Sequence, residues 1–191
     1  AMGGLRRYMP VTHATFLIAC LAIAGIWPLS GFFSKDEILT ACFAFSPVMG
    51  WVMTGIAGLT AFYMFRLYYN IFWGRENREL HAAHRPHEAP LTMTLPLLFL
   101  SAVTCVAGFI PFGKLVSSDG TAYAIHIDRG VAGVSLCVAA AAIALATWMY
   151  LRERQTVADA LATRFRGLHK AAYHRFYIDE VYQFVTHRVI F

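Results

Sequence analysis

The apolar residues of this 191-residue chain are gathered into long blocks, and that arrangement constrains its fold more than any other feature. A helix needs roughly 20 apolar residues to cross the hydrocarbon core of a bilayer. A helix on the surface of a soluble domain spaces its apolar residues three and four apart, with polar ones between. Four blocks here meet the membrane requirement, over residues 12–45, 47–73, 90–112 and 131–151. Composition agrees: the chain is 58% hydrophobic and 14% charged, whereas soluble domains carry about 25% charged residues. The expected fold is all-α and integral to the membrane, with about four transmembrane helices within residues 1–151.

The first block has 34 residues, too many for one upright span. Its middle reads Gly25-Ile26-Trp27-Pro28-Leu29-Ser30-Gly31. Proline removes a backbone donor and disfavours helix at the residue before it. The two glycines add backbone freedom. A discontinuous first transmembrane helix follows, with a break over Ile26–Gly31. Non-helical backbone at membrane depth is tolerated only when it is buried in protein or lines water. The pattern Ser34-x-x-Glu37 has capping-box spacing and would start the second half.

Directly after the break, GFFSKDEIL (Gly31–Leu39) sets Lys35, Asp36 and Glu37 side by side within the apolar block. An ionisable side chain at membrane depth costs a few kcal/mol or more. It is retained where it pairs, lines a water cavity or moves protons. Three in a row, of both signs, mark a site for charge movement.

Residues 152–191 mix basic and apolar side chains. Leu161, Phe165, Leu168 and Ala172 recur at helical spacing. This suggests an interfacial amphipathic helix with a second one after Tyr177. Sidedness follows from loop lysines and arginines. Arg6 and Arg7, Arg75, Arg78 and Arg85, and Arg152, Arg154, Arg164, Arg166, Lys170 and Arg175 make 11 on one side, against Lys114 and Arg129 on the other. The richer side, tail included, is expected in the cytoplasm of a bacterial inner membrane. The net charge of +5 is then a matter of topology and calls for no nucleic acid. Cys20, Cys42, Cys105 and Cys137 are isolated in apolar blocks and read as buried hydrophobes without metal or disulfide partners. The opening Ala-Met-Gly-Gly-Leu-Arg-Arg is no signal peptide, and the chain stops inside an apolar stretch at Phe191. Both ends fit a piece of a larger protein.

The stretches MGGLRRYMPVTHATFLIACLAIAGIWPLSGFFSKDEIL and LTAFYMFRLYYNIFWG resemble the antiporter-like L subunits of bacterial respiratory complex I, whose mitochondrial counterpart is NADH dehydrogenase subunit 5. The likeness runs from Met2 to about Trp73. It continues more weakly into FYIDEVYQFV, which is similar to the lead-in to that family's long lateral helix. GFFSKDEIL is shared in part with Mrp-type cation/proton antiporters. The resemblance implies that the first block is the family's second discontinuous helix, and that the chain is a subunit of a proton-translocating NADH:quinone oxidoreductase. It implies no cofactor in this chain, since NADH, FMN, iron–sulfur clusters and quinone belong to other subunits. It implies partners in the membrane arm, chiefly the neighbouring antiporter-like subunit, and the lipid bilayer. One departure is Ile26-Trp27-Pro28, where the family usually has Ile-Pro-Pro. The break survives on Pro28.

Within this frame Lys35 is the central proton relay, because a lysine removed from water can release its proton where one in bulk cannot. A helix N-terminus beside it would act in the same sense. The plain alternative is a static ion pair with Asp36 or Glu37. Asp36 is the exit partner of Lys35, or else a first-turn complement to the helix dipole. Glu37 is the weaker relay candidate, explained equally by capping. Arg66 keeps its proton in any protein and is read as structural or snorkelling. His13 is an interfacial histidine. His81, His84 and His87 form a solvated loop, with Pro86 set against zinc geometry. Tyr68, Tyr69, Trp73, Trp148 and Tyr150 form an aromatic belt. Two rival functions stay open: an Mrp-type sodium/proton antiporter subunit, and a structural membrane-arm or assembly element with no transport role.

Overall fold

The computed structural model describes residues 3–74, 86–110, 128–151 and 163–186, and every regular element among them is helical. The chain divides into two compact units, Ala1–Glu153 and Arg154–Phe191. It is an all-α integral membrane protein.

The first unit contains α1 (Pro10–Ala24), α2 (Ser30–Phe45), α3 (Pro47–Tyr68), α4 (Leu91–Val106) and α5 (Arg129–Tyr150). A π-helical turn, Tyr69–Trp73, prolongs α3, and a 3-10 turn, Ala107–Phe109, prolongs α4. Pro10 and Pro47 each stand in a first helical turn, where the missing N–H costs nothing. Among the described residues, three continuous segments are long and apolar enough to cross a membrane: Pro47–Trp73, Leu91–Phe109 and Arg129–Tyr150. At 15 and 16 residues, α1 and α2 are each shorter than a span and form the broken pair.

Contacts between the helices fix their relative directions. Extended Ser46 folds α2 back along α3, with Phe43 and Trp51 meeting edge to face at 5.6 Å. Thr147 and Tyr150 of α5 lie beside Tyr69 and Phe62, and Val138 lies beside Gly58, so α5 runs parallel to α3. The α3–α5 interface is the most extensive of the unit. It is built on small residues: Gly58, Ala61, Ala132, Ala139 and Ala146 are buried. Close approach of this kind is what holds helices together in lipid, where apolar side chains gain nothing by leaving solvent. A hydrogen bond of 2.8 Å between Tyr69 Oη and Thr147 Oγ1 crosses the same interface. Phe45, Trp51, Leu59, Leu95, Phe99 and Trp148 point outward as an apolar surface suited to lipid. Of the four free thiols, Cys20 is buried and Cys42 and Cys105 are half-buried. Cys137 is exposed, which corrects the expectation of a buried side chain: it lies on the outward stripe of α5.

The second unit contains α6 (Arg166–Tyr173) and α7 (Ile178–Val185). Between them Arg175, Phe176 and Tyr177 all take positive φ, at 52°, 54° and 59°, and turn the chain sharply. An ion pair from Arg175 to Asp179 and stacking of His174 on Tyr177 brace that turn. Leu161 of the expected amphipathic stripe lies outside the described residues.

Candidate functional site

The break lies between Ala24 and Ser30, and its geometry follows from the carbonyls that α1 leaves behind. A helix ends with four carbonyls that lack intrahelical donors. In α1 they belong to Leu21, Ala22, Ile23 and Ala24. Gly25 takes φ 80°, a left-handed conformation open to glycine, and its N–H reaches Ala22 O at 3.0 Å. The N–H of Ile26 reaches Leu21 O at 3.1 Å. This Schellman closure satisfies two of the four. The other two accept from one side chain: Lys35 Nζ donates to Ile23 O at 3.0 Å and to Ala24 O at 3.3 Å. The Trp27–Pro28 peptide is cis, and Trp27 points outward.

Lys35 therefore serves as the C-terminal cap of α1. The partial charge it meets is the negative end of a helix, not the positive end expected from the capping-box reading. That reading placed a helix start at Ser34. In the structure α2 starts at Ser30, with Leu29 as its N-cap and no side-chain cap bond. The Leu29 N–H bonds Ile26 O at 3.1 Å and the Phe32 N–H bonds Leu29 O at 3.0 Å, so the turn after the break leads straight into helix. Ser34 belongs to the second turn, and its hydroxyl turns back to Gly31 O at 3.4 Å. Glu37 is thus not half of a capping box.

Gly31 is needed for closeness, not for backbone freedom. A Cβ there would stand 1.9 Å from Ala22 O. Its absence lets α2 cross the end of α1 near enough for Lys35 to reach over. Lys35 also lines an open recess of about 330 Å³ between α1, α2 and α3, together with Ile23, Ser34, Ile38, Met53 and Thr60. A space of that size holds several waters.

Asp36 points elsewhere, as neighbouring residues on a helix do. It is 1% exposed, and neither carboxylate oxygen has a hydrogen-bond partner among the described residues. A static Lys35–Asp36 ion pair is therefore not the arrangement found. Glu37 Oε1 and Thr40 Oγ1 share this condition, buried and unpartnered. Within electrostatic reach of Asp36 are the carboxyls of Glu37 and of Asp128, the N-cap of α5.

A second polar cluster stands at the start of α1. His13 Nε2 lies 2.7 Å from Tyr68 Oη, which also accepts from Trp73 Nε1 at 3.3 Å. The Arg6 guanidinium stacks over Trp73 at 3.9 Å. Glu88, from the segment before α4, accepts from Val11 N–H at 2.8 Å and from Thr12 Oγ1 at 2.6 Å. These contacts make His13 more than an interfacial histidine: it pins the start of α1 to the end of α3. Glu88 was not legible in the sequence, because no local signal ties it to a helix start 77 residues earlier. Arg66 is exposed, with its guanidinium 5.5 Å from the Tyr150 ring centre, in keeping with a structural role. His81 and His84 lie outside the described residues, and His87 is exposed.

Comparison with known proteins bears on the same segment. The family model for the transmembrane region of NADH:quinone oxidoreductases and Mrp antiporters matches residues 1–60, which hold the break and Lys35. NAD(P)H-quinone oxidoreductase chain 5 of Picosynechococcus sp. is 38% identical, over 95% of this chain and 32% of its own length. Chain 5 of Synechocystis sp. is 34% identical over 95% of this chain and 34% of its own. The chloroplastic subunit 5 of Chlorokybus atmophyticus is 34% identical over 95% and 30%. The chain spans about a third of the length of these relatives. The family model and these relatives agree: the chain belongs to the antiporter-like transmembrane family of NADH:quinone oxidoreductases and Mrp antiporters, and within it resembles the subunits numbered 5.

Proposed function

We propose that this chain carries part of the proton path of an NAD(P)H–quinone oxidoreductase, with Lys35 as the relay and Asp36 as the group that receives its proton. One observation carries the reading: the Lys35 ammonium closes the end of α1 inside the broken helix, one residue from a fully buried carboxyl without a partner. Two opposed influences act on that ammonium. Removal from water disfavours its charge, and the two carbonyls at a helix C-terminus favour it. A group under both influences would be loaded or unloaded by a change in nearby charge. Such a change would come from redox chemistry in other subunits, which would hold the nicotinamide, flavin, iron–sulfur and quinone sites. Its path would run through the neighbouring antiporter-like subunit of the membrane arm. The end of the unit holding Arg6 and Glu88 would face the bacterial cytoplasm, and the Asp128 end the opposite side.

The test is proton translocation alongside NADH–quinone activity in vesicles bearing the whole assembled complex. Lys35→Ala is expected to abolish most pumping while the complex still assembles. Lys35→Arg keeps a cation for the carbonyls of Ile23 and Ala24 but holds its proton permanently. It should preserve assembly and still pump poorly. Normal pumping by Lys35→Ala, or full pumping by Lys35→Arg, would replace the relay with a structural cap. Pumping that requires sodium would instead favour the Mrp-type reading.

A further inference from the structure

Most threonines in the described helices follow a common habit, and Thr40 is one that departs from it. Thr15, Thr54, Thr60, Thr94, Thr104, Thr147 and Thr186 each donate their hydroxyl to the carbonyl four residues earlier. This back-bonding is the ordinary way to satisfy a hydroxyl in mid-helix. The corresponding carbonyl for Thr40 is that of Asp36, and Thr40 Oγ1 makes no such bond although it is buried. On a helix, Thr40 shares a face with Asp36 at i,i+4 and with Glu37 at i,i+3. Among the described residues the hydroxyl is left without a partner, beside the buried carboxyl of Asp36 and the buried Oε1 of Glu37, which lack partners too. Buried polar atoms are rarely left so, and four together on one face of α2 mark a place for exchangeable protons and water.

A third carboxyl extends the cluster to the surface. Asp128 caps α5, accepting from Gly130 N–H at 2.8 Å through Oδ1, and it is exposed. It caps the helix that packs against α2, and its charge acts on Asp36. Because α5 runs parallel to α3, Asp128 belongs to the end of the unit opposite His13 and Glu88.

We propose that Thr40 and Asp128 complete a proton-release route from Asp36, with Thr40 joined through water to the carboxyls of Asp36 and Glu37 and Asp128 delivering the proton to the aqueous surface. The inference rests on the relay reading of Lys35 and Asp36. In each transfer the Thr40 hydroxyl gives its proton to water on one side and takes another from water on the other. It ends neutral, and one proton has moved outward. Asp128 then binds that proton and loses it to water.

The experiment measures the rate of proton pumping, with NADH oxidation followed alongside, in vesicles containing the whole complex. Thr40→Val removes the hydroxyl at nearly constant shape and should slow pumping roughly tenfold, the worth of about one hydrogen bond in a transfer step. Thr40→Ser restores the hydroxyl and should recover most of the rate, which a packing role would not require. Asp128→Asn keeps the helix cap, since Asn serves as well as Asp there, but cannot carry a proton. It should slow pumping with thermal stability unchanged. Wild-type pumping by either Thr40→Val or Asp128→Asn overturns the route. Lys35→Ala, run in parallel, separates the two ideas: if it pumps normally the relay reading itself has failed, and if it alone is impaired only the release route has.

Discussion

Replacing Gly31 with alanine should disable this protein without touching an ionisable group. The added Cβ would stand 1.9 Å from Ala22 O and 2.8 Å from Ala22 C. Both are backbone atoms of α1, so no rotamer change relieves the overlap. Ordinary contact begins near 3.4 Å, so α2 must withdraw from α1 by about 1.5 Å. The Lys35 bonds to Ile23 O and Ala24 O span 3.0 and 3.3 Å. A withdrawal of that size carries both past hydrogen-bonding distance. The lysine has little slack to follow, since its Cδ already lies across Gly25, 2.9 Å from where a Cβ there would stand.

Overpacking of this kind costs about 1–3 kcal/mol. Two hydrogen bonds from a charged donor, at about 1.5–3 kcal/mol each, would weaken or break. The assay is thermal unfolding of the detergent-solubilised complex beside proton pumping in vesicles. Gly31→Ala should lower the unfolding temperature and abolish pumping. Gly55→Ala and Gly133→Ala serve as controls: a Cβ at either meets nothing within 4 Å, and alanine is the better helix former by about 1 kcal/mol. They should be neutral or mildly stabilising. A Gly31→Ala protein with wild-type stability and pumping would show that the close crossing does not hold Lys35 in place.

Gly25→Ala forces a side chain into φ 80°, at a cost of about 1–2 kcal/mol. It should lower the unfolding temperature, while a substitution at neighbouring Trp27, which faces outward, should not. Partial burial acts to raise the Glu88 carboxyl, but hydrogen bonds from Thr12, Val11 and Ala89 outweigh it and hold the group below the ordinary range. A depressed carboxyl contributes stability above its unfolded value near 4.3, lost as pH falls through the folded value. Glu88→Gln should therefore be less stable than wild type at neutral pH, and the gap should close in acid; a gap independent of pH would refute the cap.

What the sequence revealed and what it hid divide along the range of the interactions. Apolar blocks announced membrane helices, because span length is set by the bilayer and read residue by residue. The Pro28 break was equally local. The motif around Lys35 was visible as chemistry, yet its partners were not. Lys35 meets carbonyls 11 and 12 residues back, and which helix end it meets depends on where α2 begins. The capping-box pattern put that start at Ser34, but the turn after Ile26 starts the helix earlier. Gly31 was read as a source of freedom, whereas its contact with Ala22 is a tertiary fact. Thr40 carries no signal of its own. Its departure from the habit of other threonines is seen only against a count of hydrogen bonds.

The two ends of α1 together explain why a lysine suits this position. Neither end has a local side-chain cap. At the start, Glu88 brings a carboxylate from 77 residues away to the free N–H groups of Val11 and Thr12. At the finish, Lys35 brings an ammonium to the free carbonyls of Ile23 and Ala24. Each charge is of the sign that complements the helix dipole at its end. The anion has further donors in Thr12 Oγ1 and Ala89 N–H, and it stays fixed. Among the described residues the cation has only carbonyls, and a carbonyl has no proton to give in exchange. An arginine would bond the same carbonyls and never let go of its proton. A backbone cap would hold the end of α1 with no charge to lose. A lysine that closes the helix would, on giving up its proton as proposed, loosen what it closed, and the broken helix would then tie the geometry of α1 to the charge on that one side chain.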